Sequence, residues 1–197
     1  VRVGTGRLLD STAIGSNQMQ SFYSIRAGNA IRPNASSDLP PGVGFPIERN
    51  ELQANTNVLT GVTLSTTSTA MGWYFDLGKN DSNTVAWRQT AESTSFFGTV
   101  AFAPTLPTSD ACNPSGVSRI YSVDIASGTT KLISGTSLSA FLAGGEGVIT
   151  DLRFLSVGGR IRLIAGSDQG RLQRVLGEFG TNLGLRRKNW RELTLAN

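Results

Sequence analysis

The strongest constraint on this chain is how its apolar residues recur. They fall at every second position over short runs, with turn residues between, so side chains alternate between two faces of an extended backbone. The runs are Val1-Arg2-Val3-Gly4, 57–65, Gly72-Trp73-Tyr74-Phe75-Asp76-Leu77, Thr84-Val85-Ala86-Trp87, Thr99-Val100-Ala101-Phe102, 119–125, 129–133, 148–155, 161–164 and 171–176. Each predicts a short strand. Helical spacing is scarce: only 137–143 is predicted as a turn or two of helix, stopped by Gly144-Gly145.

Turn chemistry joins several of these runs. Ala126-Ser127-Gly128 and Gly166-Ser167-Asp168-Gln169-Gly170 put Gly and Asp where a hairpin needs positive φ. Two stretches break the pattern: 31–46, with Pro33, Pro40, Pro41 and Pro46, and a second from Pro104 to Gly116. Both are read as long loops. Among 197 residues, 39% are hydrophobic and only 16% charged, with 23 glycines, a globular, turn-rich, β-leaning profile. The length fits one domain or two small ones.

Internal echoes favour stacked antiparallel sheets. Ser21-Phe22-Tyr23-Ser24-Ile25 resembles Arg119-Ile120-Tyr121-Ser122-Val123, and Val1-Arg2-Val3-Gly4-Thr5 resembles the run from Ile161 to Ser167. The first offset equals about two β-propeller blades of roughly 40 to 50 residues each. At that size the chain holds at most about four blades, so a larger ring would need further blades outside it. A start at Val1, without Met or leader, is read as a piece of a longer precursor.

Several chemistries are excluded by composition. The chain has no histidine, which removes Ser-His-Asp and Cys-His nucleophiles, His-ligated zinc and a histidine acid or base. Cys112 is the only cysteine, so neither an internal disulfide nor a CxxC site can form. No apolar run approaches the roughly 18 residues of a membrane-spanning helix. The net charge of +4 is concentrated near the end: from Asp151 onward nine Arg or Lys face four acids. Such a cluster fits an anionic surface or nucleic acid. Arginines at alternating positions, as in Arg160-Ile161-Arg162-Leu163, equally fit the solvent face of a strand, and no aromatics interleave as base-stacking platforms.

Five segments in order carry a family resemblance. They are Val3-Gly4-Thr5-Gly6-Arg7-Leu8-Leu9 with Gln20-Ser21-Phe22-Tyr23-Ser24-Ile25; Gly72-Trp73-Tyr74-Phe75-Asp76-Leu77; Ser109-Asp110-Ala111-Cys112-Asn113-Pro114-Ser115-Gly116; the run from Ile120 to Gly128; and Arg186-Arg187-Lys188-Asn189-Trp190-Arg191-Glu192-Leu193. Together they resemble the C-terminal β-propeller of the PilC/PilY family of type IV pilus biogenesis factors and tip-associated adhesins. The resemblance implies an all-β chain of antiparallel four-stranded blades with long loops, part of a quinoprotein-dehydrogenase-like propeller. On it, 1–197 is the C-terminal portion of that domain, with earlier blades and an N-terminal region upstream. The implied function is non-enzymatic: supporting pilus assembly, antagonising retraction and mediating surface attachment. The implied partners are minor pilins or the pilus tip and a host or abiotic surface, with no nucleic acid and no membrane span. The implied location is the periplasm, outer membrane, cell surface and pilus tip.

The chain departs from the family at its calcium loop, where alternating acidic and amide side chains ligate the cation. The nearest segment, Asp76-Leu77-Gly78-Lys79-Asn80-Asp81-Ser82-Asn83, has other spacing and a Lys inside it, and reads as a hairpin turn. No cofactor is therefore expected in this segment, and no catalytic, cofactor or metal residue is assigned. In an oxidising compartment Cys112 is either free or paired with an upstream cysteine.

The alternative is a propeller-fold enzyme, a glycosidase or a quinoprotein dehydrogenase. A glycosidase needs two carboxylates facing each other across a sugar, and the fourteen acids show no paired motif. Ser167-Asp168-Gln169-Gly170 is similar to a sialidase hairpin box but lacks its spacing. Tyr121 to Asp124 with Ser127-Gly128 is similar to quinoprotein repeats, a sign of fold rather than of catalysis. Asp124 reads as a turn residue accepting backbone hydrogen bonds. Val3-Gly4-Thr5-Gly6-Arg7-Leu8 lacks the third glycine and the βαβ frame of a nucleotide loop. Trp73, Tyr74 and Phe75 are read as core, against an exposed aromatic surface, and Trp87 and Trp190 share that ambiguity; Trp190 beside Arg187, Lys188 and Arg191 suits a cation–π anchor. The loops 31–46 and 104–116 are the expected contact surfaces, without individual binding residues.

Overall fold

The computed structural model describes residues 1–6, 15–26, 46–64, 70–108, 115–145 and 147–180. These residues form an all-β structure of several sheets, none closed on itself, with one 3-10 turn at Arg49–Glu51. The first sheet holds β1 (Arg2–Gly4), β2 (Ser21–Ile25), β3 (Gln53–Ala54) and β4 (Gly72–Asp76) in the order β1-β2-β4-β3. The β3–β4 pair is parallel, which a plain antiparallel blade would not contain.

The second sheet is built on one long hairpin. β6 (Thr99–Phe102) and β7 (Thr105–Pro107) both pair with β8 (Gly116–Asp124), and the register runs straight through from Thr99↔Asp124 to Pro107↔Gly116. Pro104 has no N–H to give the ladder and interrupts the strand without shifting it, while its carbonyl still accepts from Arg119 N at 3.0 Å. Thr108 N continues the pairing to Ser115 O at 2.9 Å. The stretch 104–116, expected to be a loop, is thus paired β-structure at both ends, and only 109–114 lies outside the described residues. β5 (Thr94–Phe96) pairs with β6 through a tight turn at Phe97 and Gly98, both at positive φ. β11 (Leu142–Ala143) lies on the other side of β8.

β9 (Leu132–Ser134) and β10 (Ser137–Ser139) make a two-stranded sheet. The segment 137–143, expected to be helical, is therefore two strands: a seven-residue helix is too short to repay nucleation, and Gly135 at φ 63 supplies the hairpin turn. Two other expected strands are also corrected. In 57–65 the described part is a turn, because the Asn57 side chain accepts from Leu59 N at 2.9 Å and its carbonyl from Gly61 N at 2.8 Å. In 84–87 only an isolated bridge, Lys79↔Ala86, forms, since Asn80 Oδ1 gathers the N–H groups of Thr84 and Val85 into a turn. The run 129–133 starts with an isolated bridge at Thr130 and is regular only from Leu132.

The last sheet is a plain meander of β12 (Ile149–Val157), β13 (Arg160–Ser167) and β14 (Leu172–Val175). Its first turn is Gly158-Gly159, with φ 59 and 74, a mirror-image geometry that only glycine enters at no steric cost.

Packing explains the order of the sheets. β6 and β8 are buried on both faces, and their alternation splits two cores. Val100, Phe102, Tyr121 and Val123 join Phe22, Trp73 and Trp87 of the first cluster, while Ala101, Ala103 and Ile120 join Leu152, Leu163, Ala165 and Val175 of the last sheet. The first interface is an aromatic column: Phe22 stacks on Phe102 at 3.9 Å and Phe102 on Tyr121 at 5.1 Å, with ring planes nearly parallel in both pairs. Phe102→Ala is expected to destabilise the chain by about 3–5 kcal/mol. Phe97→Gly, at an exposed left-handed position that costs an L-residue roughly 1–2 kcal/mol, is expected not to lower stability. Urea unfolding of both variants checks the contrast.

Candidate functional site

The described residue groups with the densest polar contacts meet at the turn that follows β8. Asp124 Oδ1 accepts from Ala126 N at 2.9 Å and Ser127 N at 3.0 Å, the local Asp turn its sequence position predicts. That pairing frees the carbonyls of the turn for the first sheet. Ile125 O accepts from the Trp73 indole at 2.9 Å and the Ser24 hydroxyl at 3.1 Å, and Gly128 O accepts from the Asn55 amide at 3.0 Å. Ser127 O takes Val62 N at 2.7 Å. Gly128 sits at φ 67, and a Cβ there would run into Asn55 Nδ2. Trp73 is core, as expected, but its N–H is also the clasp between the first two sheets.

Beside this clasp lies a cavity of about 600 Å³, lined mostly by apolar groups of Ile25, Val62, Leu64, Trp73 and Ile125, with Arg26 at its margin. No carboxylate pair lines it. Among the described residues no three of Asp, Glu, Cys and His come together as a metal site. Asp76, at the head of the 76–83 segment, is taken by Arg49 in a bidentate ion pair at 2.8 Å, and the guanidinium also covers the Tyr74 ring at 3.9 Å. Desolvation alone would lower the Arg49 pKa, but the hydrogen bonds it donates to Asp76, Tyr23 and Tyr74 outweigh it and hold it above the usual value.

A second cluster escaped the sequence reading. Arg119 lies between two rings, 4.1 Å from Trp87 and 4.3 Å from Phe141, beside buried Tyr121. Its alternating place on β8 was the one legible sign; the aromatic partners come from segments distant in sequence. Trp87 is buried, which resolves its ambiguity toward packing. Arg153, Arg160, Arg162 and Arg174 fall on one face of the last sheet, in line with the solvent-face reading. Val3, Gly4 and Thr5 belong to an edge strand and its exit, with Thr5 O accepting from Gln89 N, and no helix follows among the described residues to make a nucleotide loop. Residues 31–45, Cys112 and the tail from 181, with Trp190, lie outside the described residues. No helix of the described residues is long and apolar enough to cross a membrane.

Comparison of the chain with protein-family models, curated proteins and solved structures returns no match.

Two measurements probe the clasp and the cluster. Trp73→Phe keeps an aromatic side chain but removes the indole N–H from Ile125 O and part of the buried ring volume, and is expected to cost about 1–3 kcal/mol in chemical denaturation. Burial pushes the Tyr121 phenol up, with Arg119 pulling the other way. The folded state then holds the phenolic proton more tightly than the unfolded state, so this contribution is whole below the ordinary phenol pKa and lost as pH rises through and past it. The thermal midpoint is expected to fall as pH rises above about 10, and Tyr121→Phe to flatten that fall.

Proposed function

We propose that the chain is a non-enzymatic interaction module of the PilC/PilY-like kind. On this reading it supplies blades of a β-propeller that supports type IV pilus assembly, opposes retraction and helps the pilus tip attach to a host or abiotic surface. The observation that carries the reading is the placement of the resembling segments. Ser21–Ile25 and Gly116–Asp124 are inner strands of two successive sheets that pack face to face, and the turn after Asp124 clasps one sheet to the other. Face-to-face succession of small sheets is how propeller blades build their core.

The working parts are a stiff scaffold and the segments it presents. Residues 31–46 and 109–114 are the contact segments in this proposal, minor pilins or the pilus tip the partners, and the periplasm, outer membrane and pilus tip the locations. On this reading no calcium is held at 76–83, where Asp76 pairs with Arg49.

Complementation of a pilus-deficient strain with the parent gene tests the proposal. Deleting 31–46 or 109–114, with the paired ends of the long hairpin kept, is expected to reduce piliation or adhesion several-fold at unchanged protein level. Normal piliation and adhesion in both deletions overturn it, as does turnover of glycosides or quinone-linked oxidation of alcohols by the purified parent protein.

A further inference from the structure

The last sheet buries one face and leaves the other uncovered by the described residues, and that face is not an ordinary solvent face. Register places Leu155 opposite Arg162, Arg153 opposite Ile164, Ile164 opposite Arg174, and Gly166 opposite both Asp151 and Leu172. A Cβ built on Gly166 would touch Leu172 and Asp151, which fixes these side chains on the same outward side. Arginines and aliphatic side chains therefore alternate like a checkerboard. Leu172 is 81% exposed, and Leu155, Val157 and Leu176 are each close to half exposed. The single acid, Asp151, is engaged by Arg153 at 3.0 Å. Arg160, Arg162 and Arg174 are left to set the charge.

The arginines also frame a recess. Where β14 runs on toward β9, Arg162, Arg174, Ile133, Leu176 and Gly177 line a cavity of about 250 Å³. Arg162 Nε is buried at its rim with no hydrogen-bond partner. A buried guanidinium N–H without an acceptor is costly, and a carboxylate is its natural complement.

Charge decides among the occupants. The segment after Gly180 carries Arg186, Arg187, Lys188 and Arg191 against Glu192 alone, so it brings the wrong sign. A second copy would set arginine against arginine. Nucleic acid would find no aromatic platform on this face and would leave the exposed leucines uncovered. All four cations are Arg and none is Lys, and Arg is enriched while Lys is depleted at the centre of protein interfaces. From these features we infer that the outer face of β12–β13–β14 docks a protein segment that carries carboxylates and aliphatic side chains on one side, with one carboxylate seated between Arg162 and Arg174. This proposal uses none of the residues invoked for pilus function and stands without that reading.

A defined peptide tests the docking. Glu-Ser-Leu-Ser repeated five times puts Glu and Leu alternately on one side of an extended strand. Its fluorescence anisotropy with the full chain at low salt is expected to show binding at least tenfold tighter than that of peptides with Ser for Leu or Lys for Glu. Arg162→Glu with Arg174→Glu should weaken binding at least tenfold. Leu172→Ser, at a side chain free to change without harm to the fold, should weaken it several-fold, with unchanged circular dichroism and melting. Equal binding of the Ser-for-Leu peptide, or insensitivity to Leu172→Ser, overturns the inference. So does tighter binding of phosphatidylglycerol vesicles or of oligothymidine, which would assign the face to lipid or nucleic acid, and so does no binding of the peptide.

Discussion

The stacking of Phe22 on Phe102 and of Phe102 on Tyr121 is the contact on which the rest depends. It joins the first sheet to the second, and it gathers the aromatic side chains of the β6–β8 ladder, Phe102 and Tyr121, on one side. The opposite side of that ladder carries Ala101, Ala103 and Ser122 with one larger residue, Ile120, and packs against the last sheet. Aromatic pairs of this kind also contribute beyond the area they bury.

The clasp at residues 124–128 turns that packing into a fixed geometry. Apolar stacking is tolerant of small rotations; hydrogen bonds from Trp73, Ser24 and Asn55 to two carbonyls of one turn are not. Those carbonyls are available because Asp124 has already gathered the turn's own N–H groups. The cavity beside Trp73 is a by-product of this arrangement, a gap held open where the turn meets the first sheet on polar contacts.

Much of the fold was legible where local chemistry acts alone. Strands overlapping the runs 1–4, 72–77, 99–102, 119–125, 148–155, 161–164 and 171–176 follow from alternation, though their ends moved by up to three residues, and the turns at Gly128 and Gly170 follow from their glycines. Legibility failed where a side chain or a distant strand intervened. Asn57 folds a run of alternating residues into a turn, yet Val58 and Val62 stay buried, so alternation there reported burial and not pairing. Pro104 and Pro107 signalled a loop, but the register across β8 carried the strand past both. The helical reading of 137–143 failed because strand partners, invisible locally, outweighed a marginal helix.

By itself, the sequence determined that this chain is β-structure without histidine chemistry, since alternation and composition are properties of each residue and its near neighbours. It also placed a cationic excess toward the end. Only tertiary structure decided which sheet faces which, that Arg119 lies between Trp87 and Phe141, and that Arg162 and Arg174 flank one recess. Those arrangements depend on strand register and sheet stacking between segments far apart along the chain, and no local pattern encodes the partner of a side chain that has yet to meet it.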